Sequence, residues 1–315
     1  MPLYAGNSMQ RHTFSRWAWW FVGYLIAVIL FGAWVRIAGA GAGCGNHWPL
    51  CNGDVVPVAP AAKTIIEFTH RVTSGLCGLF GIGFIVWAWK LGDRRVLRAA
   101  SATMFFILVE GFVGAVLVKK ELVVNDASVS RAVVIGLHLA NTLLLMAAAT
   151  AMAWWASPLV VATRAAGRGL LLAAMLVLVF TNMTGAVTAL GDTLFPLQPT
   201  LDGSLWAKVR EDLTAGQHFL VRLRVIHPFV AVFCAAFLSG VVGAVRRGYA
   251  GDAGMVAMLR WPLMLLGMQV LLGVLNIVLA APGVVQIGHL LLAQLVWVSC
   301  CAAYLAMGRG QLSRA

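Results

Sequence analysis

The sequence predicts an all-α membrane protein of eight transmembrane helices, built as two parallel-repeat four-helix bundles with the N- and C-termini cytoplasmic. Three observations predict it. Of 315 residues, 61% are hydrophobic and only 11% charged, and the mean hydropathy is +0.89, so polar side chains are too few to coat a water-soluble globule. The apolar residues gather into eight runs of a length that crosses a hydrocarbon core as helix. Features of the first four runs recur in the last four at an offset of about 150 to 160 residues.

The spans are read at 17–38, 64–89, 99–118, 132–156, 169–190, 219–244, 261–280 and 283–307. The first follows a basic leader (Arg11, Arg16), but it is long for a signal peptide and no small-residue cleavage site closes it, so it is taken as a retained helix. The net charge of +12 would suit a nucleic-acid partner, yet the basic residues sit in short connections between apolar runs, where topology explains them better. With the N-terminus inside, inner segments take the larger share of Lys and Arg. The acids Asp54, Glu121, Asp126, Asp192, Asp202, Glu211 and Asp212 fall in outer loops. Lipid, not nucleic acid, is the expected surrounding, and the cell (plasma) membrane the expected location.

The repeat shows in matched landmarks. Gly32-Ala33-Trp34-Val35 ends the first span and Gly185-Ala186-Val187-Thr188 lies in the fifth. Glu110 and Gly114 in the third span answer to Gln269 and Gly273 in the seventh, His70 to His227, and His138 to His289. An even number of spans per half gives both halves one orientation. The expected domains are 1–160 and 161–315, joined by an inner linker, Ser157 to Arg168, that contains Pro158. The long outer connections, 39–63 and 191–218, are expected to be functional, with a short amphipathic helix near Leu205 to Leu213.

Four histidines lie inside spans, where an ionisable group is costly and marks function by default. Singly, each reads as a polar residue satisfied between helices. Together they share one depth, about six residues or roughly 9 Å inside the outer helix ends. Two imidazoles at equal depth on neighbouring helices can bind an iron axially from both sides of a haem. Zinc or copper would need further protein ligands, and only the first half offers them, as Glu67 and Glu110. His70, His138, His227 and His289 are therefore the candidate iron ligands, and Arg71, Arg131, Arg222 and Arg224 candidate propionate contacts or ordinary interface anchors. Glycines 75, 78, 111, 114, 136, 273 and 288 would admit a macrocycle or a neighbouring helix. His12, His47 and His218 are not expected to ligate.

The halves differ in two ways. Glu67 stands one turn before His70, where the second half has Arg224; it reads as a proton acceptor beside a haem or as the partner of Arg71 or Lys63. The outer loop Cys44-Gly45-Asn46-His47-Trp48-Pro49-Leu50-Cys51 occurs in the first half alone. A disulfide can persist on that side, as a structural staple or as a redox-active pair. Cys77, Cys234, Cys300 and Cys301 lie in spans and read as small buried hydrophobes. The first half is expected to host the chemistry and the second a permanent cofactor.

At these residues the chain resembles haem A synthase, a family with bacterial and mitochondrial members acting on haem O. The resemblance covers nearly the whole chain and rests on Gly43 to Gly53, on Ile66-Glu67-Phe68-Thr69-His70-Arg71, and on the histidines of the fourth, sixth and eighth spans. It implies oxidation of a haem O ring methyl, through an alcohol and a hydrated aldehyde, to the formyl of haem A. It places substrate haem O on His70 and His138 with Glu67 catalytic, and haem B on His227 and His289. It also implies haem O synthase as donor and cytochrome oxidase assembly as recipient, and leaves a homo-oligomer open. Two departures stand out. The second-half loop Leu190 to Pro196 lacks the cysteine pair of some members, and Pro228 follows His227 where Arg71 follows His70. A diheme b-type cytochrome exchanging electrons with quinone, or a transporter built on a parallel repeat, are the rival readings.

Overall fold

The structure, a computed structural model, describes residues 2–157, 167–196 and 205–307. The expected domain boundary at 160/161 lies outside those residues, as do Pro158, Arg164, Asp202, Arg309 and Arg314. The described chain is helical in ten segments: α1 Pro2–Ile37, α2 Ala62–Leu91, α3 Arg94–Lys119, α4 Val129–Ala156, α5 Arg168–Leu194, α6 Leu205–Asp212, α7 Phe219–Gly248, α8 Ala253–Met258, α9 Arg260–Val278 and α10 Gly283–Ala306. Eight helices are long and apolar enough to span a membrane, α8 continuing into α9 as one of them. α6 falls where the sequence anticipates a short amphipathic helix.

Helix ends are set by local chemistry. Asp93 caps α3 by accepting from Arg95 N at 2.8 Å and Val96 N at 3.3 Å, and Ser128 caps α4 through Arg131 N at 3.1 Å. Gly92, at φ 68°, ends α2 in the left-handed region that glycine tolerates. Asp93 also pairs with Arg11 at 2.7 Å. Burial alone would raise its pKa, but the Arg11 hydrogen bond and the two amides hold it below the usual carboxylate range.

α1 to α4 close into a ring through α1–α2, α2–α3, α3–α4 and α1–α4 contacts. α5, α7, α9 and α10 close likewise, and the two rings meet where α4 touches α5 and α10 and where α1 touches α10. Leu79, Phe112, Leu176, Phe229 and Leu271 stay largely exposed on the perimeter, the composition a hydrocarbon solvent requires.

Along the helix axes the interior is uneven. The main core gathers Phe14 and Phe21 of α1, Phe84 of α2, Leu143, Met146 and Met152 of α4, Leu171 of α5, Leu238 of α7 and Trp297 and Cys300 of α10. These residues occupy the ends of their helices away from the four histidines. Cross-ring hydrogen bonds tie that end together: Trp297 Nε1 donates to Leu143 O at 2.7 Å and, within the first ring, Ser15 Oγ to Ala153 O at 3.0 Å. Cys77, Cys234, Cys300 and Cys301 are free and buried. The opposite end is not filled by side chains.

Candidate functional site

The unfilled end encloses a cavity of about 1230 Å³ lined by His70, His138, His227 and His289. All four histidines lie in the first three turns of α2, α4, α7 and α10. His70 and His138 line the cavity from the first ring, His227 and His289 from the second. Glycine makes room for three of the rings. A Cβ on Gly32 would lie 3.0 Å from His70 Cε1, one on Gly185 3.0 Å from His227 Cε1, and one on Gly273 3.1 Å from His289 Cε1.

Three of the rings have a polar neighbour. Thr184 Oγ1 is 3.0 Å from His227 Nδ1, and Gln269 Nε2 is 3.2 Å from His289 Nε2. Glu110 Oε2 is 2.5 Å from His138 Nδ1, and the other Glu110 oxygen accepts from Thr142 at 2.8 Å. The Nδ1 atoms of His70 and His289 are buried without a partner, a cost that a ligand would relieve.

The cysteine loop forms the roof over the first pair. Cys44 and Cys51 are bonded, with an S–S distance of 1.99 Å, and Trp48 and Pro49 line the cavity. Glu67 clasps the loop to α2. One carboxylate oxygen accepts from Arg71 at 2.5 and 3.1 Å and the other from Cys44 N at 2.9 Å. Arg71 Nη1 donates to His47 O and Leu50 O, both at 2.6 Å. Gly43 packs on the Lys63 backbone so closely that no Cβ would fit. Glu67 still lines the cavity, so the reading as a partner of Arg71 is realised without taking the carboxylate away from the site.

Over the second pair a different device holds the roof. Arg224 binds Asp212 of α6 in a two-point contact, 2.8 Å on each side, and donates to Phe195 O at 2.8 Å. His218 caps α7 through Leu220 N at 3.3 Å. Pro228 lies in the interior of α7, where its missing N–H leaves the Arg224 carbonyl without a helix donor.

Of the four arginines expected near a carboxylate, Arg71 and Arg224 are engaged as described. Arg222 is exposed and outside the cavity lining. Arg131 fits best: only 4% exposed, it lines the cavity, spends Nη1 on Val124 O and Asp126 O, and leaves Nε unpartnered. The sequence reading missed Arg36, counting it as an outer basic residue. Its guanidinium reaches from α1 to α5 and α10, donating to Ala189 O at 2.6 Å, Gln286 Oε1 at 2.9 Å and Thr193 Oγ1, and it lines the cavity between the pairs. Its signal was a charge between Val35 and Ile37 in an apolar helix.

Among the described residues, no group of three or more His, Cys, Asp or Glu side chains converges as for a bare metal ion. Gly75, Gly78, Gly111 and Gly114 line the cavity with nothing within 4 Å of where a Cβ would stand. Gly136 and Gly288 instead contact Met183 and Leu272, which makes them packing glycines.

Fold and site together define a multi-pass helical membrane protein whose cavity-lining imidazoles suit haem. The chain belongs to the COX15-CtaA family of cytochrome oxidase assembly proteins, whose model matches residues 15–301. Over 300 residues it is 43% identical to a Thermus thermophilus protein named protoheme IX farnesyltransferase, a match covering 92% of this chain and 48% of that one. The chain thus spans about half the length of that relative. It is 48% identical over 96 residues to the heme A synthase of Alkalihalophilus pseudofirmus, covering 30% of this chain and 32% of the relative. With the heme A synthase of Halalkalibacterium halodurans the figures are 43% over 93 residues, 29% and 31%.

Proposed function

We propose that this protein is a haem A synthase of the cell (plasma) membrane, oxidising a ring methyl of haem O to a formyl group. The domains are residues 1–160, taking haem O on His70 and His138, and residues 161–315, holding haem B on His227 and His289. They form parallel repeats, so the cavity lies toward the outer face and both termini are cytoplasmic. The observation that carries the reading is the uneven placement of acids around four paired imidazoles: Glu67 and Glu110 both stand in the first half, and Gln269 replaces Glu110 in the second.

Bound haem supplies the redox chemistry that activates a methyl C–H bond. The chain's own residues do the rest. His70 and His138 fix the macrocycle between α2 and α4, with Gly32 leaving room for the His70 ring. Arg131, which lines the cavity, would turn its guanidinium toward a propionate. Glu67, held at the wall by Arg71 and the Cys44 amide, presents a carboxylate that can accept a proton as the methyl group is oxidised. Trp48 and Pro49 limit water above the first pair. The Cys44–Cys51 bond acts as the staple that keeps this roof in register.

The donor of haem O is proposed to be a protohaem farnesyltransferase and the recipient of haem A the assembling cytochrome oxidase. The Thermus relative supports the first pairing, since its unmatched half has length enough for a second enzyme; prenyl transfer is therefore not proposed for the present chain. The test is to express the protein in cells that make haem O but no haem A and to chromatograph the extracted haem. Formyl haem is expected. Its absence, with both haem sites loaded, would leave the diheme electron carrier as the reading. That rival gains from one observation, the full engagement of Glu67 with Arg71 and Cys44, and it predicts that Glu67→Gln retains electron transfer.

A further inference from the structure

The connection that leads into α2 carries apolar side chains that the cavity does not use. Between Asp54 and Lys63 the chain reads Val55-Val56-Pro57-Val58-Ala59-Pro60-Ala61-Ala62, eight residues without a charge or a hydrogen-bonding side chain. Val55, Val56 and Val58 are 77%, 65% and 86% exposed, and none of the eight lines the cavity. Contiguous apolar exposure of this kind marks a contact surface. Pro57 and Pro60 have no N–H, so the segment has fewer backbone donors that need water.

Two observations set the height of this segment against the membrane. Trp17, Trp20, Trp89 and Trp261, all exposed and remote from the histidines, form a belt of indoles like that at a lipid–water boundary. A hydrocarbon core about 30 Å thick then places the opposite boundary about 20 residues before Trp89 on α2, near Thr69. Arg71 stands at that height, and its Nη1 donates to His47 O and Leu50 O, both at 2.6 Å, while Cys51 pairs its backbone with Asp54. The loop that runs into Val55 is thus tied at the boundary, level with Ile65 and Val72, exposed perimeter residues of α2. The second half reaches the same height with another element. Arg224, one turn before His227, holds Asp212 at the end of α6. Trp206, Val209 and Leu213 follow one face of that helix, whereas Arg210 and Glu211 are exposed on the other. Trp206 and Val209 line the cavity, and Trp206 and Leu213 are 68% and 52% exposed, so the apolar face continues past the cavity rim.

We infer that residues 55–62 and the apolar face of α6 are seated in the lipid headgroup layer on the cavity side of the membrane. Each roof is then fastened twice, to its histidine helix by a charged pair and to the bilayer by apolar side chains. Lipid is the occupant because both segments continue, at one height, the perimeter that already faces hydrocarbon. Exposed cations stand at the same helix ends, Lys63 on α2, Lys119 and Lys120 after α3, and Arg222 on α7, where long basic side chains reach lipid phosphates. That gives Arg222, which lies outside the cavity lining, a place of its own. The inference does not depend on which reaction the cavity supports.

The test uses the full-length protein in nanodiscs of phosphatidylcholine and phosphatidylglycerol, with a nitroxide label on one introduced cysteine at a time. Power-saturation EPR then compares contact with oxygen, which concentrates in lipid, and with a water-soluble nickel chelate. Val56→Cys, Val58→Cys and Leu213→Cys report on the two segments; Leu79→Cys on the lipid-facing perimeter and Glu211→Cys on the polar side of α6 are the references. All five positions are exposed, so the label does not disturb the core. Cys44 and Cys51 are bonded and the other four cysteines are buried, so the native thiols do not compete for label; mass spectrometry checks that the bond is kept. The oxygen-to-nickel ratio at positions 56, 58 and 213 is expected several-fold above that at 211 and close to that at 79. A ratio equal to that at 211 puts the segments in water and overturns the inference, leaving the patch to a protein partner on that side. Low contact with both reagents means that protein covers the segments, and it overturns the inference as well.

Discussion

Each of the two rings carries its own pair of histidine-bearing helices, and the two hold down the segments that precede α2 and α7 in opposite ways. In the first, a carboxylate on the histidine helix, Glu67, takes Arg71 and the Cys44 amide, and Arg71 grips two loop carbonyls. In the second, an arginine in the matching position, Arg224, grips Asp212 of α6. Charge is reversed while the mechanical job is kept. A buried acid next to the first cavity is thus obtained without leaving it unpaired, which would be the costlier arrangement. The difference teaches that a residue can serve as a fastening and still bring its functional group to a site.

The largest effect expected from breaking the comparison concerns the ligands. His138→Ala should abolish formyl haem while leaving the second-half haem in place, and His289→Ala should remove that haem; extracted-haem chromatography distinguishes the two. Next is Glu110→Gln, which makes the first half resemble the second at Gln269. Groups next to an iron-binding imidazole typically matter by about 10- to 100-fold, so turnover should fall by that order with haem content retained, and the reduction potential of the first haem should move.

Stability changes come third. Glu67→Ala takes the carboxylate from a part-buried Arg71 that keeps two loop carbonyls and should lower stability by about 1–3 kcal/mol, read as thermal unfolding in detergent, with Glu67→Ala/Arg71→Ala milder than the single change. If Glu67→Ala proves neutral, the clasp is not what holds the roof. Arg36→Ala removes hydrogen bonds joining α1 to α5 and α10 and should cost about 1–3 kcal/mol, seen in the same measurement. The smallest effect is at the other end of the helices. Asp93 has its pKa depressed in the folded state, so its contribution is present above its unfolded value of about 3.9 and fades as pH falls through the folded one. With Arg11 and Asp93 partly solvent-exposed, that contribution is at most about 1 kcal/mol. Asp93→Asn should flatten the acid limb of the stability curve by that amount.

Much of the protein was legible before any coordinates. Eight apolar runs and the depth of four histidines follow from local composition, because lipid leaves a spanning segment no choice but helix. The pairing of Glu110 with His138 was visible only as a third-span acid answering to Gln269. Arg222 looked as eligible as Arg131, since a charge at a helix end does not say which way it faces. Gly32 and Gly185 stood out merely as landmarks of the repeat, and their contact with His70 and His227 lies between helices distant in sequence.

The sequence by itself determined the helical membrane class, the four candidate ligands and the asymmetry carried by Glu67 and the cysteine loop, for these depend on hydropathy, residue chemistry and order along the chain. Only the tertiary structure decided that the core fills one end and leaves a cavity at the other, that Arg131 has a nitrogen to spare while Arg71 and Arg224 do not, and that Gly75, Gly78, Gly111 and Gly114 face open space. Those facts depend on which side chains from separate helices meet. Hydrophobic periodicity places a residue on a helix face, but the neighbour across that face is chosen by packing.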